Sequence, residues 1–198
     1  MTNTIAIGDV HGSYSVLLET LEPLFDTQSE LIFLGDLFDR SPEPGGDFKV
    51  LELVYDMHQH PEDYGLSNVE CLMGNHEHLL LEALDGDYEC WYMNGGDIGF
   101  LQSLVSRPDY IKWIQERPLY IIRDDYLLVH AGVRPDISLT DQAAHDFMWI
   151  RPDPNQPHNL PYTIVHGHTI HNDVTYYRDR VAIDTGAFHS GKLSTFAL

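Results

Sequence analysis

Short apolar runs alternate with stretches of helical periodicity along most of the chain. Bulky runs bounded by glycine, proline or charged residues predict buried strands. They fall at 4–7, 31–34, 69–73, 119–122, 126–129 and 163–165, with three further β segments at 174–177, 181–183 and 193–197. Helical spacing predicts a first helix directly after Ser13, which would cap it. Further helices are predicted over 48–60, 79–84 and 141–147, and over 100–115 with a break near Pro108. Residues 91–96 are predicted to form an aromatic, glycine-rich loop. The alternation predicts an α/β architecture.

Residues that can bind metals or transfer protons follow directly after five of these predicted strands. The clusters are GDVHG at 8–12, GDLFDR at 35–40, GNHEH at 74–78, HAG at 130–132 and HGHT at 166–169. In the second of them, a buried strand delivers Asp36, Asp39 and Arg40 at its carboxyl end. Unpaired charge in such a place would cost several kcal/mol, so the cluster indicates a site rather than a solvated turn.

The side chains of these clusters form a set of metal ligands. The set is Asp9, His11, Asp36, Asn75, His130 and one histidine of HGHT, either His166 or His168. Oxygen and imidazole donors without a thiolate favour Mn²⁺, Fe or Zn²⁺ over a soft metal or a structural zinc site. Six ligands exceed what one catalytic metal needs, so two metals sharing a carboxylate fit better, about 3.5–4 Å apart.

Composition and charge narrow the class of protein further. A chain of 198 residues with 43% hydrophobic residues suits one globular domain over 1–198. The net charge of −20 argues against a nucleic acid or an anionic membrane as partner. A chain this acidic would also repel a phosphorylated substrate unless its site carried compensating positive charge, which bound metal ions would supply. Cys71 and Cys90 are expected to be simple thiols. The chain shows neither an apolar run of membrane-spanning length nor a secretory leader, so a cytoplasmic protein is expected.

The five clusters together resemble the phosphoprotein phosphatase family of metallophosphoesterases. The stretches WYMNGG, MWIR and IDTGA further resemble its compact bacterial and bacteriophage members. The resemblance implies a β-sandwich of mixed sheets flanked by helices, with the site at the sheet edge. It also implies that Asp9, His11 and Asp36 hold one metal, and that Asp36, Asn75, His130 and His168 hold the other. His168 is chosen over His166 because the family's ligand directly precedes threonine, and manganese is the expected metal.

The mechanism expected from this resemblance is hydrolysis by a metal-bridging hydroxide that attacks phosphorus in line. Arg40 and Arg151 are expected to bind phosphoryl oxygens, because a guanidinium fork matches phosphate and stays charged. His76 is expected to protonate the leaving group. Asp39 would orient His76 and raise its pKa by favouring the imidazolium.

The predicted substrate is a phosphorylated protein or small phosphomonoester, chiefly phosphoserine and phosphothreonine and also phosphotyrosine. The alternative is diadenosine tetraphosphate, because related bacterial hydrolases share nearly all these motifs. A nucleotide needs further basic groups, for which Arg134, Arg178 and Arg180 remain. A catalytically inactive phosphate-binding module is a third alternative, and the intact catalytic set argues against it. Ser41 and Met73 depart from the family pattern, which often has glycine and arginine there, and Met73 is expected to shift substrate preference.

Overall fold

The computed structural model describes residues 3–198 as nine strands and eight helices. The strands are β1 (Thr4–Ile7), β2 (Glu30–Phe33), β3 (Asn68–Cys71), β4 (Tyr120–Arg123), β5 (Tyr126–Val129), β6 (Thr163–His166), β7 (Thr175–Tyr176), β8 (Arg180–Ala182) and β9 (Thr195–Ala197). The helices are α1 (Tyr14–Leu21), α2 (Gly46–Gln59), α3 (Asn75–Leu84), α4 (Tyr88–Met93), α5 (Ile98–Val105), α6 (Pro108–Gln115), α7 (Ala144–Trp149) and α8 (Ala187–Ser190). None of the helices in this range is long and apolar enough to cross a membrane.

The strands form two mixed sheets. The first sheet has the order β3-β2-β1-β9, in which β1, β2 and β3 are parallel and β9 is antiparallel. The second has the order β4-β5-β6-β8-β7, in which β5, β6 and β8 are parallel and the two outer strands are antiparallel. The predicted β-sandwich of mixed sheets flanked by helices is therefore confirmed.

Strand side chains alternate between two apolar layers in each sheet, as the period of two in a strand requires. In β2, Leu31 and Phe33 pack towards the helices of the first half of the chain. Ile32 faces the other way, into the layer between the sheets, where it meets Leu128 of β5 and Val165 of β6. Full burial of each such side chain contributes roughly 1.5–3 kcal/mol. Burial of these side chains therefore fixes the position of one sheet against the other.

The carboxyl ends of the parallel strands lie along one edge of the sandwich. Ile7, Phe33 and Cys71 are in register across the first sheet. Val129 of β5 pairs with His166 of β6 in the second sheet. All five predicted clusters begin within three residues of these ends. Loops at such an edge are the usual place for a ligand in α/β proteins.

Local predictions were wrong at four places. Residues 91–96 are not a loop throughout, because Trp91 is buried and belongs to the short helix α4. The helix predicted over 79–84 begins earlier, so Asn75 opens α3. The short helix α8 was not predicted, whereas the helix predicted over 141–147 is confirmed as α7. Ser13 precedes α1 but makes no capping hydrogen bond through its side chain.

Candidate functional site

Strained backbone marks the loops that leave the sheets at this edge. His11, Asp36, Asp39, Arg40 and His168 all have positive φ, between 47° and 68°. Residues with side chains rarely adopt this left-handed conformation, which costs of order 1–3 kcal/mol each unless the surroundings enforce it. Half of the non-glycine residues with positive φ in the described chain belong to the predicted site. The fold therefore holds these side chains in imposed orientations.

Asp36 lies between two histidines from different sheets. Its Oδ2 is 3.5 Å from Nε2 of His11, and its Oδ1 is 3.4 Å from Nε2 of His130. Each imidazole donates its Nδ1–H to a backbone carbonyl, His11 to Phe38 at 3.1 Å and His130 to Leu34 at 2.9 Å. Those bonds leave the Nε2 lone pairs facing the carboxylate. The geometry suits a carboxylate that is shared by two cations.

The remaining predicted ligands surround the second of these histidines. The amide oxygen of Asn75 is 2.9 Å from Nε2 of His130 and 3.0 Å from Nδ1 of His168. Asp9 accepts a hydrogen bond from the backbone N–H of His168 at 3.0 Å. Gly167 permits this approach, because a Cβ there would collide with the Asp9 carboxylate. The fold thus brings all six predicted ligands into one cluster.

Two groups of donor atoms meet the geometric requirement for a metal ion. His11, Asp36 and His76 form one group, and Asp36, His130 and His168 form the other, with donor atoms within 4.8 Å of one another in each. Buried Asp9 Oδ1 and His168 Nε2 have no hydrogen-bond partner. Converging lone pairs and buried acceptor atoms without a hydrogen-bond partner are unfavourable unless a cation is present. The residues therefore fit two divalent metals with Asp36 in common.

The pKa values of these ligands reflect burial among charges. Burial lowers the pKa of His11 and of His168 to about 3, which leaves the imidazoles neutral, as metal ligands must be. Burial raises the pKa of Asp36, but the neighbouring imidazoles of His130, His76 and His11 outweigh it and hold that pKa below its ordinary value. The predicted shared ligand is therefore ionised.

His76 and Asp39 form a fully buried hydrogen-bonded pair. Nδ1 of His76 donates to Asp39 Oδ2 at 2.7 Å, and the indole N–H of Trp91 donates to Asp39 Oδ1 at 3.0 Å. Burial lowers the pKa of His76, but Asp36 and Asp39 outweigh it and raise that pKa overall. Nε2 of His76 has no partner. The pair thus presents an oriented, proton-bearing imidazole.

Two arginines border a cavity of about 60 Å³ at the centre of the cluster. Arg40 is held by hydrogen bonds from its Nε to the carbonyl of Asn94 at 3.0 Å and from NH1 to His11 at 3.3 Å. Arg151 also lines the cavity, is exposed, and makes none of the side-chain hydrogen bonds or ion pairs found within residues 3–198. Tyr92 is largely exposed, whereas Asn94 lines the cavity.

Sequence reasoning missed the roles of three residues in this region. Glu77 of α3 is fully buried and accepts the backbone N–H groups of Asp36 and Leu37, each at 2.8 Å, so it shapes the strained loop. Asp184 lines the cavity and is buried, and burial raises its pKa. Glu77 lies in the GNHE stretch and Asp184 in the IDTGA stretch, so the family resemblance of these stretches could have indicated both residues. Trp91 lies in α4 and not in the predicted loop, and its bond to Asp39 has no signal in the local sequence.

Comparison with known proteins assigns the family. Residues 2–192 match the calcineurin-like phosphoesterases. The chain belongs to this family. Calcineurin-like phosphoesterases use a dinuclear metal centre, and the two donor groups of this phosphoesterase meet at Asp36. The predicted resemblance to phosphoprotein phosphatases is confirmed at the level of the family.

Named relatives of this phosphoesterase differ in substrate. It is 28% identical to serine/threonine-protein phosphatase 2 of Salmonella typhimurium over 97% of its own length and 91% of that protein. It is 33% identical to a symmetrical bis(5'-nucleosyl)-tetraphosphatase of Methylobacillus flagellatus over 72% of its length, but spans only 47% of that protein. The crystal structure of a putative diadenosine tetraphosphatase superposes with a TM-score of 0.74 at 20% identity, covering 100% of this chain and 89% of that one. That likeness supports the fold.

A buried carboxylate beside the site of the phosphoesterase makes stability depend on pH. Asp47 of α2 is buried, its Oδ1 has no hydrogen-bond partner, and burial together with Asp39 and Asp97 raises its pKa to about 7. The folded state therefore binds a proton that the unfolded state releases, so this residue costs stability as pH rises from its ordinary pKa to about 7.

Asp47→Asn is accordingly expected to stabilise the fold by about 1 kcal/mol or more near pH 8, and by less near pH 5. Urea unfolding at both pH values measures the difference. Glu52→Gln, on the exposed face of α2, is the control and should show no such pH dependence. An equal effect of Asp47→Asn at both pH values would contradict the assignment.

Proposed function

We propose that the chain is a dinuclear-metal phosphomonoesterase that hydrolyses phosphoserine and phosphothreonine, acting as one domain over residues 1–198. The observation that carries the proposal is the cavity of about 60 Å³ on which His11, Asp36, His76, Arg40 and Arg151 converge. Its size suits one phosphoryl group. Two arginines, an oriented imidazole and a shared carboxylate line it.

The proposed metal ligands divide between two cations. Asp9, His11 and Asp36 would hold one, and Asp36, Asn75, His130 and His168 the other. Oxygen and imidazole donors without thiolate support manganese as the resident metal, with iron or zinc as alternatives. When bound, the metals supply a water nucleophile at neutral pH and neutralise charge on the phosphoryl oxygens.

The chain's own side chains perform the remaining tasks. Arg40, already fixed by Asn94 and His11, orients the phosphoryl group, and the exposed guanidinium of Arg151, which lines the same cavity, completes the clamp. His76 holds a proton on the imidazole that faces the cavity and passes it to the leaving oxygen. Asp39 keeps that imidazole oriented and favours its charged form, while Trp91 keeps Asp39 in place.

A larger groove supports a protein substrate. It has a volume of about 680 Å³ and is lined by Arg40, by the carboxyl groups of Glu43, Asp47 and Asp97, and by the rings of Phe48 and Phe100. We call it the acidic groove. Its charge opposes a polyphosphate chain, whereas a polypeptide flanking the phosphorylated residue can lie along it.

Hydrolysis of a dinucleoside tetraphosphate is the second candidate. It is favoured by the tetraphosphatase named among the relatives and by the basic surroundings of Arg151 on the side away from the acidic groove. Of the spare arginines, Arg134 is paired with Asp146 at 2.9 Å, and Arg180 lines a cavity beside Arg151.

The test is a comparison of kcat/KM for a phosphothreonine peptide and for diadenosine tetraphosphate. The protein is stripped of metal and reconstituted with Mn²⁺. We expect metal-dependent phosphate release with the peptide as the better substrate. A marked preference for the dinucleotide would replace the first candidate by the second, and two bound metals without hydrolysis of either substrate would reject both.

A further inference from the structure

A second cavity adjoins the candidate site through Arg151. It has a volume of about 200 Å³, whereas the central cavity has about 60 Å³, and Arg151 lines both. Its other polar walls are His166, His171, Tyr177 and Arg180, and Pro152, Pro154 and Thr169 complete the lining. We call it the basic cavity. Because Arg151 lines both cavities, a molecule in the central cavity can extend along it into the basic cavity.

The lining of the basic cavity contains two guanidinium groups and no carboxylate. This is unusual in a chain with a net charge of −20. Arg180 is buried and is held by Asp179 at 3.0 Å and by the carbonyl of Gln156 at 2.8 Å. Arg151 is unpaired among the described residues. The cations are therefore partly uncompensated, and an anion would find both charge and N–H donors there.

His166 supplies an independent indication that a ligand belongs in the basic cavity. His166 is only 3% exposed. Its Nδ1 lies 3.1 Å from the carbonyl oxygen of Gly167, whereas its Nε2 has no hydrogen-bond partner. A buried orphaned nitrogen is unfavourable without a partner. Hydrogen phosphate both donates and accepts hydrogen bonds, so it can pair with this nitrogen in either tautomer.

Hydrogen bonds keep two other polar side chains of the basic cavity, His171 and Tyr177, in place. The Nδ1–H of His171 donates to the carbonyl of Thr169 at 2.7 Å, and the hydroxyl of Tyr177 lies 2.9 Å from Nε2 of His171. These bonds hold two walls of the cavity without an added ligand. The cavity is therefore largely preformed.

We propose that the basic cavity is a second phosphate-binding subsite, next to the phosphoryl group that is hydrolysed. Its occupant is either a further phosphate of the same substrate molecule or free inorganic phosphate. The proposal rests on the proposed phosphoesterase function for its role in catalysis, but not for the binding itself. In the first case, the subsite favours substrates in which phosphates are joined in a chain.

The test adds a carboxylate at the rim of the basic cavity. Replacing His166 itself risks unfolding β6, so the variant is Pro154→Glu, at an exposed loop position that lines this cavity. The matched control is Asn155→Glu, the next residue along, which is exposed and does not line it. Binding of inorganic phosphate to the metal-stripped protein is followed by ³¹P NMR, a measurement that needs no activity.

We expect phosphate to bind the stripped wild type, Pro154→Glu to weaken binding by about fivefold or more, and Asn155→Glu to change it by less than about twofold. Inhibition of p-nitrophenyl phosphate hydrolysis at constant free Mn²⁺ then distinguishes the two sources. If the occupant is a linked phosphate, pyrophosphate inhibits the wild type more strongly than phosphate does, and Pro154→Glu removes that advantage. If it is free phosphate, pyrophosphate has no advantage.

The proposal is overturned if stripped wild type binds no phosphate, or if Pro154→Glu and Asn155→Glu bind it equally well. If the protein binds phosphate as expected but hydrolyses neither substrate, the proposed function is disproved and the proposed subsite stands.

Discussion

Asp36→Asn is expected to abolish metal-dependent phosphate release, with a loss of roughly a thousandfold or more in kcat, because metals contribute several kcal/mol and each 1.36 kcal/mol is about tenfold. Asp36 faces His11 with one oxygen and His130 with the other. An asparagine keeps the shape but loses the charge and one of the two acceptor oxygens. The variant is therefore expected to bind fewer than two metals. Titration calorimetry with Mn²⁺ on stripped protein and p-nitrophenyl phosphate hydrolysis measure the two effects.

Asp146→Asn is the matched control for this experiment. Asp146 is also a buried aspartate, but it pairs with Arg134 and caps α7 outside the metal cluster. Its substitution should lower stability without changing the number of metals bound. If Asp36→Asn keeps both metals and most of its activity, Asp36 is not the shared ligand.

His76→Asn is expected to keep both metals and to lose about 10²–10⁴-fold in kcat on a phosphoserine peptide, the contribution typical of a general acid. The serine alkoxide needs a proton on departure, whereas p-nitrophenolate leaves without one. The loss on p-nitrophenyl phosphate should therefore be much smaller. Wild-type activity on the peptide should fall as pH rises through the pKa of His76, and the variant should lack this limb.

His78→Asn is the control on the same helix. His78 is half exposed and faces Glu82 rather than the cavity, so the variant should match wild type on both substrates. Equal losses of His76→Asn on the two substrates, together with retained metals, would show that His76 does not act as an acid. Loss of a metal in His76→Asn would instead identify His76 as a metal ligand. This outcome has to be checked because a donor atom of His76 lies within 4.8 Å of donor atoms of His11 and Asp36.

Much of the fold was predictable because its elements are short and strongly patterned. Apolar runs bounded by glycine identified the strands, and β1 and β5 match their predicted bounds. The errors lie where tertiary contacts overrule local pattern. Trp91 is helical, packs in the apolar core of the first half of the chain, and bonds through its indole to Asp39, which is distant in sequence. At the start of α3, the backbone N–H of Gly74 donates to the carboxylate of Glu77, and the same carboxylate accepts the backbone N–H of Asp36 from another loop.

The sequence by itself determined the residue types of the site and its family, because the clusters follow parallel strands whose ends share an edge. Only the tertiary structure decided which atoms face one another. Both oxygens of Asp36 turn to histidines of different sheets, and that depends on left-handed backbone at His11 and Asp36, which packing enforces and local propensity opposes. The basic cavity likewise exists only in the fold, because Arg151, His166 and Arg180 come from three separate segments. The residues of the site are far apart in the chain, so the periodicity of the sequence does not predict the distances between their side chains.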